Sequence, residues 1–141
     1  VVTRHSPLSP WLLVALLFVG CEHKDPYGRQ PISGTITFQG TVLESGVIDF
    51  LPAKDGQRAG TRAMIKGGTY AVPTEHGLVP GQYRVTISSP EANTTDPPAG
   101  PPGMVMPPPG KERIPAEYNT QSSLVVEVTA TEKNEFDFAI P

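Results

Sequence analysis

The chain has one cysteine, Cys21, so no internal disulfide can form and an exported domain must stand on its hydrophobic core alone. Tryptophan is as scarce, with Trp11 the only one. No apolar run is long enough to cross a bilayer: the stretch from Trp11 to Val19 is about half of the roughly 20 residues a spanning helix needs. Histidine occurs three times, and the formal net charge of −3 leaves no basic footprint for a phosphate backbone. Nucleic acid is therefore not an expected partner. No segment carries a convincing helical period, which removes helical bundles and α/β folds from consideration.

What is present begins with the leader. Arg4 and His5 precede the apolar run, and Gly20 supplies a small side chain after it, the layout of a secretory signal over residues 1–20. The chain opens on Val1, so a non-standard start codon or an earlier beginning is expected. Phe18-Val19-Gly20-Cys21 resembles the lipobox of bacterial lipoproteins, with Phe18 and Val19 where that family prefers leucine and a smaller residue. The resemblance implies cleavage before Cys21 and lipid attachment to its sulfur, the most nucleophilic side-chain atom available. The expected partner is thus a bacterial envelope membrane, held through lipid on Cys21, with the domain facing the periplasm or the exterior. The plainer alternative is a free thiol at the end of an ordinary signal peptide.

Residues 21–30 are polar, contain Pro26 and Gly28 and show no periodic pattern; they read as a flexible tether. From residue 31 to 141 the dominant period is two, that of half-buried strands. Ile32, Gly34, Ile36 and Phe38 share one face, and Ile48 with Phe50, and Thr61, Ala63 and Ile65, repeat the alternation. Tyr70 and Val72 return after Lys66-Gly67-Gly68, where two glycines can take positive φ in a tight hairpin. Tyr83, Val85 and Ile87, then Leu124, Val126 and Val128, then Phe136, Phe138 and Ile140 complete the inward set. About seven short strands predict an all-β domain, a small antiparallel β-sandwich.

One interruption is long. Residues 90–110 hold eight of the 17 prolines, a segment that cannot build a strand ladder. Composition favours a disordered spacer. The sharper reading is a polyproline ligand for an aromatic groove on a protein partner, with Met104-Val105-Met106 as its apolar centre.

Gly77-Leu78-Val79-Pro80-Gly81-Gln82-Tyr83-Arg84-Val85-Thr86-Ile87 resembles the turn-and-strand motif of carboxypeptidase-regulatory-like, transthyretin-like (prealbumin-like) sandwich domains. Ile32-Ser33-Gly34-Thr35-Ile36 through Gly46-Val47-Ile48-Asp49-Phe50-Leu51-Pro52 is similar to the first hairpin of that family. The close, Ile114-Pro115-Ala116-Glu117-Tyr118-Asn119 followed by Leu124 to Val128 and Asn134-Glu135-Phe136-Asp137-Phe138, is similar to that of short envelope lipoproteins of planctomycete-type bacteria. At the middle hairpin Lys66-Gly67-Gly68 stands where the family often has an acidic residue before glycine, so no ligand role carries over there. The resemblance implies a non-catalytic accessory module.

The residues themselves argue the same way. Beyond the leader the histidines that could serve as acid or base are only His23 and His76, and His23 lies in the tether. Glu75 and His76 are adjacent, with no further His or Cys spaced to complete a metal site, so they read as a solvated turn. The hydroxyisourate hydrolases of this fold share a terminal Tyr-Arg-Gly-Ser and an early histidine; this chain ends Phe138-Ala139-Ile140-Pro141. No catalytic residue, cofactor or metal is expected, and the absence of a lysine between Pro31 and Gly40 weakens an isopeptide-linked stalk. The rival reading is a carbohydrate-binding module on the cell surface, for which Tyr27 and Tyr118 are the only rings without an obvious core role.

Overall fold

The computed structural model describes residues 25–54, 59–92 and 110–141. The leader, Cys21, His23 and all but the ends of the proline-rich loop lie outside the described residues.

The all-β expectation is met. Eight strands form in order: β1 (Ile32–Phe38), β2 (Thr41–Val42), β3 (Ser45–Pro52), β4 (Thr61–Lys66), β5 (Thr69–Val72), β6 (Gly81–Ser88), β7 (Val125–Val128) and β8 (Phe138–Ile140). They share one sheet ordered β2-β1-β5-β4-β3-β6-β7, with β8 paired to the other edge of β1. β4 and β5 are in register only at Lys66 and Thr69. The sheet therefore folds over at that hairpin, where Gly67 and Gly68 adopt φ of 54° and 72°, the left-handed pair a tight turn requires. The two layers of the sandwich are thus the flanks of one curled sheet.

The alternation in the sequence is the alternation of burial. Ile32, Ile36, Ile48, Phe50, Ile65, Tyr70, Val72, Tyr83, Val85, Ile87, Val128 and Ile140 all lie in one buried cluster. Phe50 of β3 meets Tyr70 of β5 with ring centroids 5.9 Å apart and planes tilted by 43°, a favourable aromatic geometry across the fold. Leu124, Val126, Phe136 and Phe138 pack against this cluster while remaining partly exposed. Each fully buried aliphatic or aromatic side chain contributes roughly 1.5–3 kcal/mol.

The C-terminal segment departs from the simple alternation. The period of two over Phe136 to Ile140 suggests a strand of that whole length, but only Phe138–Ile140 is regular. It runs parallel to β1, pairing Ile36 with Phe138 and Phe38 with Ile140, a direction that alternation alone does not encode. Upstream of it, Ser33 and Phe136 exchange with the main chain through Ser33 N to Asn134 O at 3.1 Å and Phe136 N to Ser33 O at 2.9 Å. Between these pairings the carboxylate of Asp137 takes the place of a backbone carbonyl, accepting from Thr35 N at 2.7 Å and from Thr35 Oγ1 at 2.8 Å. The ladder along β1 is mended by a side chain.

Gly34 explains how the segment stays seated. The Tyr70 hydroxyl reaches over β1 to donate to Phe136 O at 2.7 Å, and a Cβ at position 34 would stand 1.9 Å from that same carbonyl oxygen and 2.8 Å from the hydroxyl. Glycine is the residue that allows the crossing. Burial, then the charges of Asp137 and Glu135, pushes the Tyr70 hydroxyl far above its ordinary value, so it remains a donor.

The proline-rich loop leaves the body through a fixed neck. Pro90 and Glu112 form an antiparallel bridge, and Glu91 N donates to Lys111 O at 2.8 Å. The Glu112 carboxylate accepts from Ser88 Oγ, Ser89 N and Ile114 N at 2.6, 2.9 and 2.9 Å. Arg113 donates to Ser89 O and Oγ, and the buried Ser89 hydroxyl donates to Ser45 O. Burial alone would raise the Glu112 carboxyl, but its donors outweigh that and hold it below its ordinary value.

Candidate functional site

Residues 25–30, read from composition as part of a tether, are organised around one carboxylate. Asp25 Oδ2 accepts from Tyr27 N at 3.2 Å and Arg29 N at 2.8 Å, and Gly28 N returns to Asp25 O at 3.0 Å. This is the local chemistry by which Asp builds turns. Gln30 is then tied to Leu78 by a reciprocal pair of backbone bonds, 2.8 and 3.1 Å long. The segment so placed forms one wall of an open cleft of about 530 Å³.

Two other segments complete it. Thr74–His76 make a single 3-10 turn after β5, closed by His76 N to Pro73 O and Gly77 N to Thr74 O. The start of β4 provides the floor, and Thr61 Oγ1 donates to His76 O at 2.8 Å. The Arg29 guanidinium ties the walls together by donating from Nη1 to Glu75 O. Its Nε lies 3.5 Å from Asp25 Oδ2, and its Cζ stands 5.0 Å from the centre of the Tyr27 ring. That stacking is worth about 0.5–1 kcal/mol at an exposed site.

The remaining chemistry of the cleft is uncommitted. Glu75 and His76 are exposed, and among the described residues no hydrogen bond reaches the carboxylate of the first or the ring of the second. Glu75 and His76 lie in an exposed turn, as the sequence suggests, and that turn is of the 3-10 type. Among the described residues no three His, Cys, Asp or Glu side chains are gathered as for a metal ion.

The two aromatics without an evident core role in the sequence separate. Tyr118 lies in a second 3-10 turn, Ala116–Tyr118, and packs against the core. Tyr27 stays 55 % exposed and faces the cleft. Sequence reasoning singled out the ring but not its neighbour Arg29, whose role depends on a turn that Asp25 creates. The spacing of Asp25, Gly28 and Arg29 was the available signal.

Two other polar clusters serve the fold. Asp49 holds Arg62 through Nε at 2.6 Å and Nη2 at 3.1 Å on the outer face of the sheet. The buried Asn134 closes the β7–β8 connection by accepting from Thr129 N and donating to Thr129 O, both at 2.9 Å. No helix among the described residues is long and apolar enough to cross a membrane. No family model, no curated protein and no solved structure matches this chain.

Proposed function

We propose that the chain is an exported lipoprotein, anchored through Cys21 in a bacterial envelope membrane, whose carboxypeptidase-regulatory-like domain acts without catalysis, through protein contact or as envelope structure. The observation that carries this reading is the position of Cys21. It closes an apolar leader, and Asp25, the first of the described residues, already sits in a turn by accepting from Arg29 N. A lipid there contributes about 0.8 kcal/mol for each buried methylene, and stable anchoring takes more than one acyl chain.

Its non-catalytic character is supported by how the acidic groups are used. Glu112 and Asp137 are both held below their ordinary values by donors from the backbone and neighbouring hydroxyls. They are fixed acceptors that stay charged, the opposite of a carboxyl tuned upward to give and take protons near neutrality.

Replacing Cys21 with Ala tests the reading. The protein is expected to move from the membrane to the soluble fraction and to lose the mass of the attached lipid. Unchanged membrane retention with unchanged mass would overturn it.

A further inference from the structure

The curled sheet ends at β7, which pairs with β6 on one side only. Two bonds show which of its backbone groups are left over. Val85 N donates to Leu124 O and Ala53 N donates to Gln82 O, so the odd residues of β6 bond the β7 side and the even ones bond the β3 side. Opposite those odd residues stand Leu124, Val126 and Val128. The N–H and C=O groups of Val125 and Glu127 therefore point away from the sheet, and among the described residues no strand meets them.

The same alternation reaches Thr129, and there the outward groups are taken. The Asn134 carboxamide accepts from Thr129 N and donates to Thr129 O, both at 2.9 Å, as a neighbouring strand would. The fold thus finishes its own edge at residue 129 and leaves it open at 125 and 127. Leu124 and Val126 lie half-buried on the inner side of the open stretch, and Val125 is 55 % exposed on the outer side. Neither proline nor lysine, the usual guards of such an edge, occurs between Ser123 and Val128.

The chain's own sequence fits this edge. Two copies related by a two-fold axis through Val125 bring antiparallel strands together. Val125 then exchanges both backbone bonds with its copy, and Glu127 exchanges them with Ser123 of the second molecule. On the inner side Leu124 falls against Val126, and on the outer side the two Val125 side chains cover each other. The Glu127 carboxylate faces the Ser123 hydroxyl instead of a like charge. Neighbouring registers are poorer. With the axis at Val126, Ser123 is set against Thr129, whose outward groups Asn134 already holds; with the axis at Glu127, two carboxylates oppose each other.

We propose that β7 is a self-association edge, through which two copies of this chain join their sheets antiparallel about Val125. The proposal goes beyond the reading given above and is independent of lipid on Cys21, so membrane release of the Cys21→Ala protein and loss of association are separate outcomes. An edge this short is expected to bury less than the roughly 1,200 Å² of a stable interface. Pairing is therefore expected at about 0.1–1 mM in solution, and on a membrane that crowds tethered copies together.

The test uses the full chain carrying Cys21→Ala, held in a zwitterionic detergent, with single cysteines introduced for disulfide cross-linking. Val125→Cys sets two Cα atoms about 5.5 Å apart across the axis, within disulfide reach, and should give a covalent dimer on mild oxidation. Two controls should cross-link about tenfold more slowly or less. They are Glu127→Cys, whose copies are not opposite, and Met64→Cys, which at 60 % exposure is the more open site but lies on β4, away from this edge. In sedimentation Val125→Lys, which sets two ammonium groups against each other, should weaken association about tenfold or more. Its melting temperature in dilute solution should change little, and Val125→Ile should associate as the unsubstituted chain does. Cross-linking as fast from either control as from Val125→Cys, a chain that stays monomeric at about 1 mM, or association indifferent to Val125→Lys would overturn the proposal.

Discussion

At the scale of single residues, neighbours in sequence have opposite fates. Val85 is fully buried, whereas Thr86 lies on the outer face directly opposite Asp49. Val85→Asp places an unpaired charge in the core and is expected to unfold the domain, since such a charge costs more than the few kcal/mol by which most domains are stable. Thr86→Lys puts a cation beside the Asp49 carboxylate and is expected to change stability by no more than about 0.5 kcal/mol. Circular dichroism melts of the two proteins check the facing. Equal losses would mean that the two sides of β6 are not distinguished as described.

At the scale of elements, inward faces were legible in the sequence because a strand repeats every two residues, and burial of Tyr83, Val85 and Ile87 follows that period without exception. The Lys66-Gly67-Gly68 turn was legible for a similarly local reason. The parallel direction of β8, the neck built by Glu112 and Arg113, and the wall formed by Asp25 to Gln30 were not. Each depends on a side chain meeting backbone far away in the chain, as Asp137 meets Thr35, and no local pattern marks such a pairing. The candidate cleft was legible only as a ring without an evident core role and a solvated Glu-His pair; their convergence is tertiary.

Asp137 makes the element-scale prediction. The Thr35 hydroxyl, and then the Thr35 N–H, hold its carboxyl below the ordinary value of 3.8. A depressed folded value means that the contribution is complete above the unfolded value and is lost as pH falls through the folded one. The protection of the Thr35 amide, taken relative to its intrinsic exchange rate, is therefore expected to hold above about pH 4 and to fall in stronger acid. In Asp137→Ala that protection should be low at every pH, with fraying of β8. Protection of Thr35 unaffected by the substitution would show that the carboxylate does not complete the ladder.

At the scale of the whole molecule, the proline-rich loop is expected to be dispensable for folding. Its described ends are already joined, Glu91 N to Lys111 O, and the neck below them is fastened by Glu112 and Arg113. Deleting residues 94–108 leaves a connection short enough for an ordinary hairpin. The melting temperature should change little; a drop of many degrees in calorimetry would show that the loop packs on the body.

The side-by-side, same-direction course of β1 and β8 governs how the body answers a mechanical load. Tension applied at the N-terminal end of β1 and at the C-terminal end of β8 draws the two strands past each other lengthwise. The bonds from Ser33 to Phe38, with the Asp137 and Tyr70 links beside them, then bear the force together in shear instead of peeling one after another. A body tethered at one end and pulled at the other is, in this arrangement, clasped where the strain arrives.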